Sequence, residues 1–257
     1  MIDPLYSLSG FVVGMLVGMT GVGGGALMTP LLILLFGVNP ATAVGTDLLY
    51  AAVTKSFGTA VHGWRGSVDW RIVRRLALGS VPTTLLTLAA LAHYDLHGGA
   101  LSRVITFALG VALLATALAL LFRTALLARY GDRLPEGNPQ RVAILTVIAG
   151  GVLGLLVSIS SVGAGAIGVT VLILLYPRLP TTRIVGADIA HAVPLTLVAG
   201  LGHWLIGSVD LPLLGSLLIG SIPGIVLGSY AALRVPDWPL RWALAIVLTV
   251  VGGRLVT

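Results

Sequence analysis

The stretch Val44-Gly45-Thr46-Asp47-Leu48-Leu49-Tyr50-Ala51-Ala52-Val53-Thr54-Lys55 places an acid and the only lysine of the protein in an apolar segment long enough to cross a bilayer. An ionisable side chain at membrane depth is costly, and its presence marks a functional site by default. The stretch returns in altered form as Val185-Gly186-Ala187-Asp188-Ile189-Ala190-His191-Ala192. The chain thus carries two copies of one element, and the other segments read as scaffold for that pair.

With 57% hydrophobic residues, 9% charged residues and a mean hydropathy of +1.04, the chain is an all-α polytopic membrane protein rather than a soluble globule. No charged side chain lies between Asp3 and Asp47. A single helix through those residues would run about 65 Å, roughly twice the hydrocarbon core, so the chain must turn inside the membrane. The start Met1-Ile2-Asp3-Pro4 lacks the basic region of a signal peptide, and the first apolar run is expected to be retained. Cysteine is absent, which removes disulfides, thiolate chemistry and Cys-ligated metals. A net charge of +6 with a pI near 10.3 could suggest a nucleic-acid partner, but the arginines are scattered singly in loops between apolar spans. Membrane orientation explains them better, and the expected environment is a lipid bilayer.

Apolar runs broken by Gly, Pro and charge give Leu5 to Met19, Ala26 to Phe36, Ala43 to Val61, Ile72 to Ala92 and Leu101 to Phe122. A polar linker follows from Arg123 to Arg141, and the order repeats as Val142 to Ile159, Ala164 to Tyr176, Ile184 to Trp204, Leu211 to Leu233 and Trp238 to Val251. The predicted organisation is a first transmembrane repeat over 1–122, a cytoplasmic linker over 123–141 and a second repeat over 142–257. Gly45, Asp47, His62, Gly66, Ser67, Asp69, Gly79, Ser80 and Pro82 recur 141 positions later as Gly186, Asp188, His203, Gly207, Ser208, Asp210, Gly220, Ser221 and Pro223. Upstream the offset is 140, pairing Gly10, Gly14, Gly23 and Gly25 with Gly150, Gly154, Gly163 and Gly165.

An odd number of segments per repeat predicts that the copies lie inverted in the membrane. Basic residues agree with this. The loop after the third segment carries Arg65, Arg71, Arg74 and Arg75, whereas its copy from Gly207 to Asp210 has none. The alternation places the linker inside and both termini outside.

The turn Gly21-Val22-Gly23-Gly24-Gly25 precedes a run too short to span the core, which predicts a broken or re-entrant helix pair. The N-terminus of such a half-helix opens deep in the membrane, where its unpaired N–H groups favour an anion. Inverted-repeat transporters use broken helices in this way. Ser161-Val162-Gly163-Ala164-Gly165-Ala166 offers the matching turn in the second copy, with Ser158, Ser160 and Ser161 as hydroxyl donors. The candidate substrate-binding residues are Gly23, Gly24, Gly25, Lys55, Ser161, Gly163, Ala164 and Gly165. Gly10, Gly14 and Gly18, four apart, read as close helix packing. Asp47 and Asp188 have two readings, either first-turn acids of helices starting at Gly45 and Gly186 or functional carboxylates. Asp188 and His191, three apart on one face, suit a hydrogen-bonded pair or proton relay. Asp47, Lys55, Asp188 and His191 are therefore the candidate proton-coupling residues, with Lys55 the positive charge that balances a substrate anion. His62 and His203 read as interfacial, solvated histidines.

The pattern from Gly21 through Gly23-Gly24-Gly25-Ala26-Leu27-Met28-Thr29-Pro30, then Val44-Gly45-Thr46-Asp47 and Thr54-Lys55, resembles the TauE/SafE sulfite exporter family. Gly207-Ser208-Val209-Asp210 and Gly220-Ser221-Ile222-Pro223-Gly224 are similar to that family's second-half signatures. The resemblance implies a small inner-membrane secondary transporter, an exporter of sulfur-containing anions such as sulfite or organosulfonates, coupled to protons and without a cofactor. The second copy departs from the pattern at Ala164, Thr170 and Ala187. Two other classes stand beside this reading: an intramembrane aspartyl protease with Asp47 and Asp188 sharing a proton, and a cation transporter or channel using the same acids. The surroundings of the acids do not fit the first. Lys55 and the half-helix N-termini oppose the second.

Overall fold

The structure of the protein, a computed structural model, describes residues 3–20, 25–64, 68–94, 98–130, 138–232 and 237–257, without the side chains of residues 20, 58, 60–64, 123–130, 229, 232, 237 and 238. These residues form ten helices and no strand. In chain order they are α1 (Pro4–Thr20), α2 (Gly25–Leu34), α3 (Pro40–Trp64), α4 (Trp70–Leu91), α5 (Gly99–Tyr130), α6 (Pro139–Ser160), α7 (Ala166–Leu175), α8 (Thr181–Leu205), α9 (Leu211–Ala232) and α10 (Asp237–Val256).

The starts of the helices are chemically marked. The Asn39 side chain accepts from the Ala41 amide at 3.0 Å ahead of α3. Asp69 caps α4 by accepting from the Arg71 and Ile72 amides, and Asp210 accepts from the Leu213 amide at 2.9 Å ahead of α9. The last residue of each Gly-Ser-Val-Asp turn is therefore a helix cap, which supplies a carboxylate to otherwise unpaired first-turn amides. Asn138 caps α6 and Pro139 occupies its first turn, where a missing N–H costs nothing. Pro139, within the polar stretch from Arg123 to Arg141, thus stands in the first turn of α6. At the other end of that linker, the backbone of α5 stays helical through Tyr130. The sequence from Arg123 to Tyr130 is rich in Ala, Leu and Arg, all good helix formers, and the first glycine comes at Gly131.

Among the described residues six helical segments are long and apolar enough to cross a membrane: Trp70–Leu91, Gly99–Phe122, Pro139–Ser160, Thr181–Leu205, Leu211–Gly228 and Pro239–Val256. α3 matches them in length at 25 residues, and its polar groups Thr46, Asp47 and Thr54 are buried within the bundle. α2 and α7 have 10 residues each, or about 15 Å of helix, and cannot span a ~30 Å core.

Packing follows the repeat residue by residue. α1 lies parallel to α9 and α4 parallel to α6, with glycines at the crossing points. A Cβ at Gly10 would meet the Leu217 carbonyl, and one at the repeat mate Gly150 would meet the Leu76 carbonyl. In the same way Gly14 faces Ser221 while Gly154 faces Ser80, and Gly79 faces Val147 while Gly220 faces Ser7. Such close backbone approach is what small residues permit between apolar helices. α3 and α8, themselves repeat mates, pack on each other and run antiparallel: Gly45 adjoins His203 and Ser208, Gly200 adjoins Leu49, and Thr59 reaches Ile189. α5 and α10 form the fourth large contact, with Gly110 against Gly252. The α3 and α8 pair is the centre of the fold.

Candidate functional site

Asp47 and Asp188 lie seven residues beyond Pro40 and Thr181, where α3 and α8 begin, so neither is a first-turn acid. The reading in which Gly45 and Gly186 start those helices is corrected: the proline signals upstream set the starts, and both glycines are interior positions. Both acids are fully buried.

Asp47 is held by groups from two other elements. Its Oδ2 accepts from Thr29 Oγ1 of α2 at 2.5 Å and from Ser161 Oγ of the α6–α7 connection at 2.8 Å. Ser161 sits in the left-handed region at φ 59 and ends α6, a conformation that turns the chain sharply and costs a non-glycine residue energy. A Cβ at Gly25 would meet the Ser161 carbonyl, so the start of α2 abuts this same turn. Eight residues further along α3, or about 12 Å at helical rise, Lys55 Nζ donates to the Ala164 carbonyl at 3.2 Å. α3 thus ties itself twice to the break in the second half.

That break continues through Gly163 and Gly165 at φ 126 and φ 129, values that glycine adopts freely. Gly165 precedes α7 with no side chain capping the helix. A small polar cavity opens here, lined by Ala26, Thr116, Ser161, Val162, Gly163, Ala164 and Ala166. Gly23 and Gly24 lie outside the described residues.

Asp188 packs against α7 at Gly168, where a Cβ would meet its Oδ1. Lys55 is half-buried, and the charges of Asp188 and Asp47 both bear on it. Asp188 and His191 are not joined. His191 Nε2 instead meets Ser80 Oγ of α4 at 2.8 Å, because the packing of α8 on α4 puts a hydroxyl on that face. The repeat mates of His191 and Ser80 are Tyr50 and Ser221, and the buried Tyr50 hydroxyl lies beside Ser221. Asp47 Oδ1, Asp188 Oδ1, Tyr50 Oη and His191 Nδ1 are all buried without a hydrogen-bond partner. Four unpaired polar atoms at two repeat-related pairs of positions are unusual in a packed interior.

His203 departs from the solvated reading. It is fully buried, its Nε2–H donates to the Ser158 carbonyl at 2.9 Å, and its Nδ1 lies 2.9 Å from Ser208 Oγ. Gly45 of α3 lets the end of α8 approach closely, and that approach covers the imidazole. The side chain of His62 lies outside the described residues. Sequence reading passed over Thr29, Ser80 and Tyr50 as site residues; the available signal was a hydroxyl recurring at repeat-related positions inside apolar helices, as Ser80 and Ser221 do.

Residues 6–255 match the family described as sulfite exporter TauE/SafE. The chain belongs to that family. Among its TauE/SafE relatives, a protein of Bacillus subtilis named probable membrane transporter protein YjnA is 38% identical over 250 residues, covering 97% of this chain and 98% of that protein. A probable membrane transporter protein of Xylella fastidiosa is 29% identical, covering 88% of this chain and 84% of that protein. A second Bacillus subtilis protein, probable membrane transporter protein YdhB, is 27% identical and covers 94% of this chain and 95% of its own length. No solved structure matches the chain. This TauE/SafE member is a multi-pass membrane protein of a transporter family.

Proposed function

We propose that the protein is a secondary transporter that exports small sulfur-containing anions such as sulfite or organosulfonates across the inner cell membrane, coupled to protons. The observation that carries this reading is Lys55, the one lysine of the chain, donating to Ala164 at the break between α6 and α7 beside the buried carboxylate of Asp47. Family membership supports the same reading. Residues 1–122 and 142–257 are taken as the two repeats, and the antiparallel run of α3 against α8 supports an inverted arrangement with the linker over 123–141 inside.

The charges suggest how the fluxes couple. One ammonium faces two carboxylates, so the site carries an excess of negative charge when all three are ionised, and an anion is repelled. Protonating Asp47 or Asp188 removes that repulsion, and Lys55 then balances the anion. Proton and anion therefore travel in the same direction, with His191 on the next turn of α8 as a relay toward Ser80. A divalent anion leaving with one proton carries net negative charge outward, which an inside-negative potential favours by about 2.3 kcal/mol per charge per 100 mV.

The test is anion flux in proteoliposomes, using sulfite, thiosulfate, sulfoacetate and sulfate, with internal pH followed in parallel. Sulfur-anion flux accompanied by a proton flux of the same sense is the expected result. Flux of divalent cations, or proton movement opposite to the anion, would overturn it.

A further inference from the structure

Away from the buried site, three arginines, two on α4 and one just after α7, converge on one pocket. It has a volume of about 580 Å3 and is lined by Arg71 and Arg75 of α4, by Asn138, Pro139 and Val142 at the start of α6, and by Tyr176 and Arg178 just after α7. Arg75 is held in place: it donates to Tyr176 Oη at 3.1 Å, and Tyr176 Oη lies 2.8 Å from the buried hydroxyl of Thr146 on α6. The nearest described acid, Asp69 at the cap of α4, accepts from the Arg71 and Ile72 amides through Oδ1. The Asn138 side chain likewise accepts from the Gln140 amide.

The repeat supplies an internal control. At the opposite pole of the molecule the mates of Arg71, Arg75 and Arg178 are Pro212, Ser216 and Val38, and those of Thr146 and Tyr176 are Tyr6 and Phe36. There Tyr6 meets Phe36 edge to face with ring centroids 4.8 Å apart, and Ser216 Oγ accepts from the Asp3 amide at 3.2 Å. The same packing position is therefore filled without any cation, so the fold does not require the three guanidinium groups. A bias of arginines toward one membrane face would account for their side, yet any position on that face would serve it. Convergence on a pocket with a fixed Arg75 needs another explanation.

We propose that Arg71, Arg75 and Arg178 form a second anion site, separate from the Lys55 region, that takes a tetrahedral oxyanion group. Planar guanidinium forks bind such groups through paired N–H donors, and several forks around one pocket suit a phosphate or a sulfonate. The apolar floor of Leu175, Pro177 and Leu179 accommodates a short apolar stem behind the head. Two sources share this chemistry, the headgroup of an anionic phospholipid and a free anion from the water phase. The proposal does not rest on the identity of the transported substrate.

The experiment uses full-length protein carrying Lys55→Met, which silences the buried site, with and without Arg71→Gln, Arg75→Gln and Arg178→Gln together. Sulfate affinity is read from the shift of thermal unfolding at constant ionic strength. Lipid retention is read by native mass spectrometry after purification from phosphatidylglycerol and phosphatidylcholine mixtures. A sulfate affinity at least about tenfold weaker in the arginine variant assigns the site to a free anion. Loss of retained phosphatidylglycerol with no sulfate response in either protein assigns it to a lipid headgroup. Tyr176→Phe, which keeps every charge, should weaken whichever ligand binds by about threefold, since Arg75 loses its partner. If the glutamine variant does not fold, the corresponding triple lysine variant keeps charge and loses the forks, and the same weakening is expected. Equal sulfate affinity and equal phosphatidylglycerol retention across these proteins would overturn the site and leave the arginines a role in orientation alone.

Discussion

Ser161 Oγ donates to Asp47 Oδ2 at 2.8 Å across the boundary between the two halves, 114 residues apart in sequence. The bond fixes the position of the break that ends α6 relative to α3. Removing it tests whether that break is structural, functional or both.

Ser161→Ala loses the hydroxyl and keeps a Cβ in the left-handed region, whereas Ser161→Gly loses the hydroxyl and relieves the backbone. The alanine protein should be less stable than wild type by about 0.5 to 1.5 kcal/mol, the net worth of one hydrogen bond, because Thr29 still donates to the same oxygen. Glycine should recover about 1 kcal/mol of that loss because it has no Cβ penalty at positive φ. Thermal unfolding of the three proteins in one detergent checks the order, and equal midpoints for alanine and glycine would show that the turn at Ser161 relaxes elsewhere.

Gly168→Ala puts a Cβ onto the Asp188 carboxylate. Transport should fall by at least about tenfold, since the carboxylate must move by about 1 Å and a misplacement of that size is enough to disrupt it. Pairing it with Asp188→Ala removes the collision, so the double variant should fold as well as Asp188→Ala alone. A poorly folded double variant would mean that the space at Gly168 serves something other than the acid.

For Lys55, methionine should leave the protein folded, because it removes a charge that costs about 2.5 to 3.5 kcal/mol at helix centre on insertion scales, and it should abolish anion transport and anion binding at the buried site. Arginine should retain both binding and coupling, since a guanidinium keeps the positive charge throughout and the protons ride on Asp47 and Asp188. If Lys55 merely neutralised Asp47, Lys55→Met with Asp47→Asn would restore flux in proteoliposomes, and such recovery would take Lys55 out of the mechanism.

Same-direction coupling fixes the sign of the pH dependence. Acid outside protonates the site from that side, so an exterior more acidic than the lumen should speed anion uptake and the reverse gradient should speed efflux. Asp188→Asn should flatten the response, since the amide is neutral at every pH. A gradient effect unchanged in that variant would move coupling to Asp47.

Orientation is open to direct labelling because the protein has no native cysteine. Trp70 at the start of α4 and Leu205 at the end of α8 are both exposed, and as single cysteines they should be modified from opposite faces. Ser208, attractive from sequence as a loop position, is buried and sits 2.9 Å from His203, which makes Leu205 the better probe. Labelling of both from one face would end the inverted arrangement.

The offsets of 140 and 141 residues were readable from the letters alone, and so was the shortness of α2 and α7, because glycine spacing and span length are local properties of the chain. Asp47, Lys55, Ser161 and Ala164 were each identifiable for the same reason. What the letters could not supply is which neighbour meets which face. Spacing of three put Asp188 and His191 on one side of α8, but the hydroxyl that His191 finds comes from Ser80, 111 residues away, and depends on how α8 crosses α4. Thr29 was invisible as a partner of Asp47 because a threonine on an apolar half-helix more often bonds its own backbone, as Thr170 does with Ala166 on α7. His203 looked solvated because it stands near the end of its helix; only the approach of α3 at Gly45 encloses it.

The glycine crossings of α1 with α9 and of α4 with α6 have a mechanical consequence. Each long parallel pair draws one helix from either half of the chain, so the halves are braided, and no surface divides them without parting a glycine seam. A rocking motion that moved one sequence half against the other would have to open both seams at once. Any body that moves as a unit must therefore keep α1 with α9 and α4 with α6, so a joint cannot fall simply at the middle of the chain.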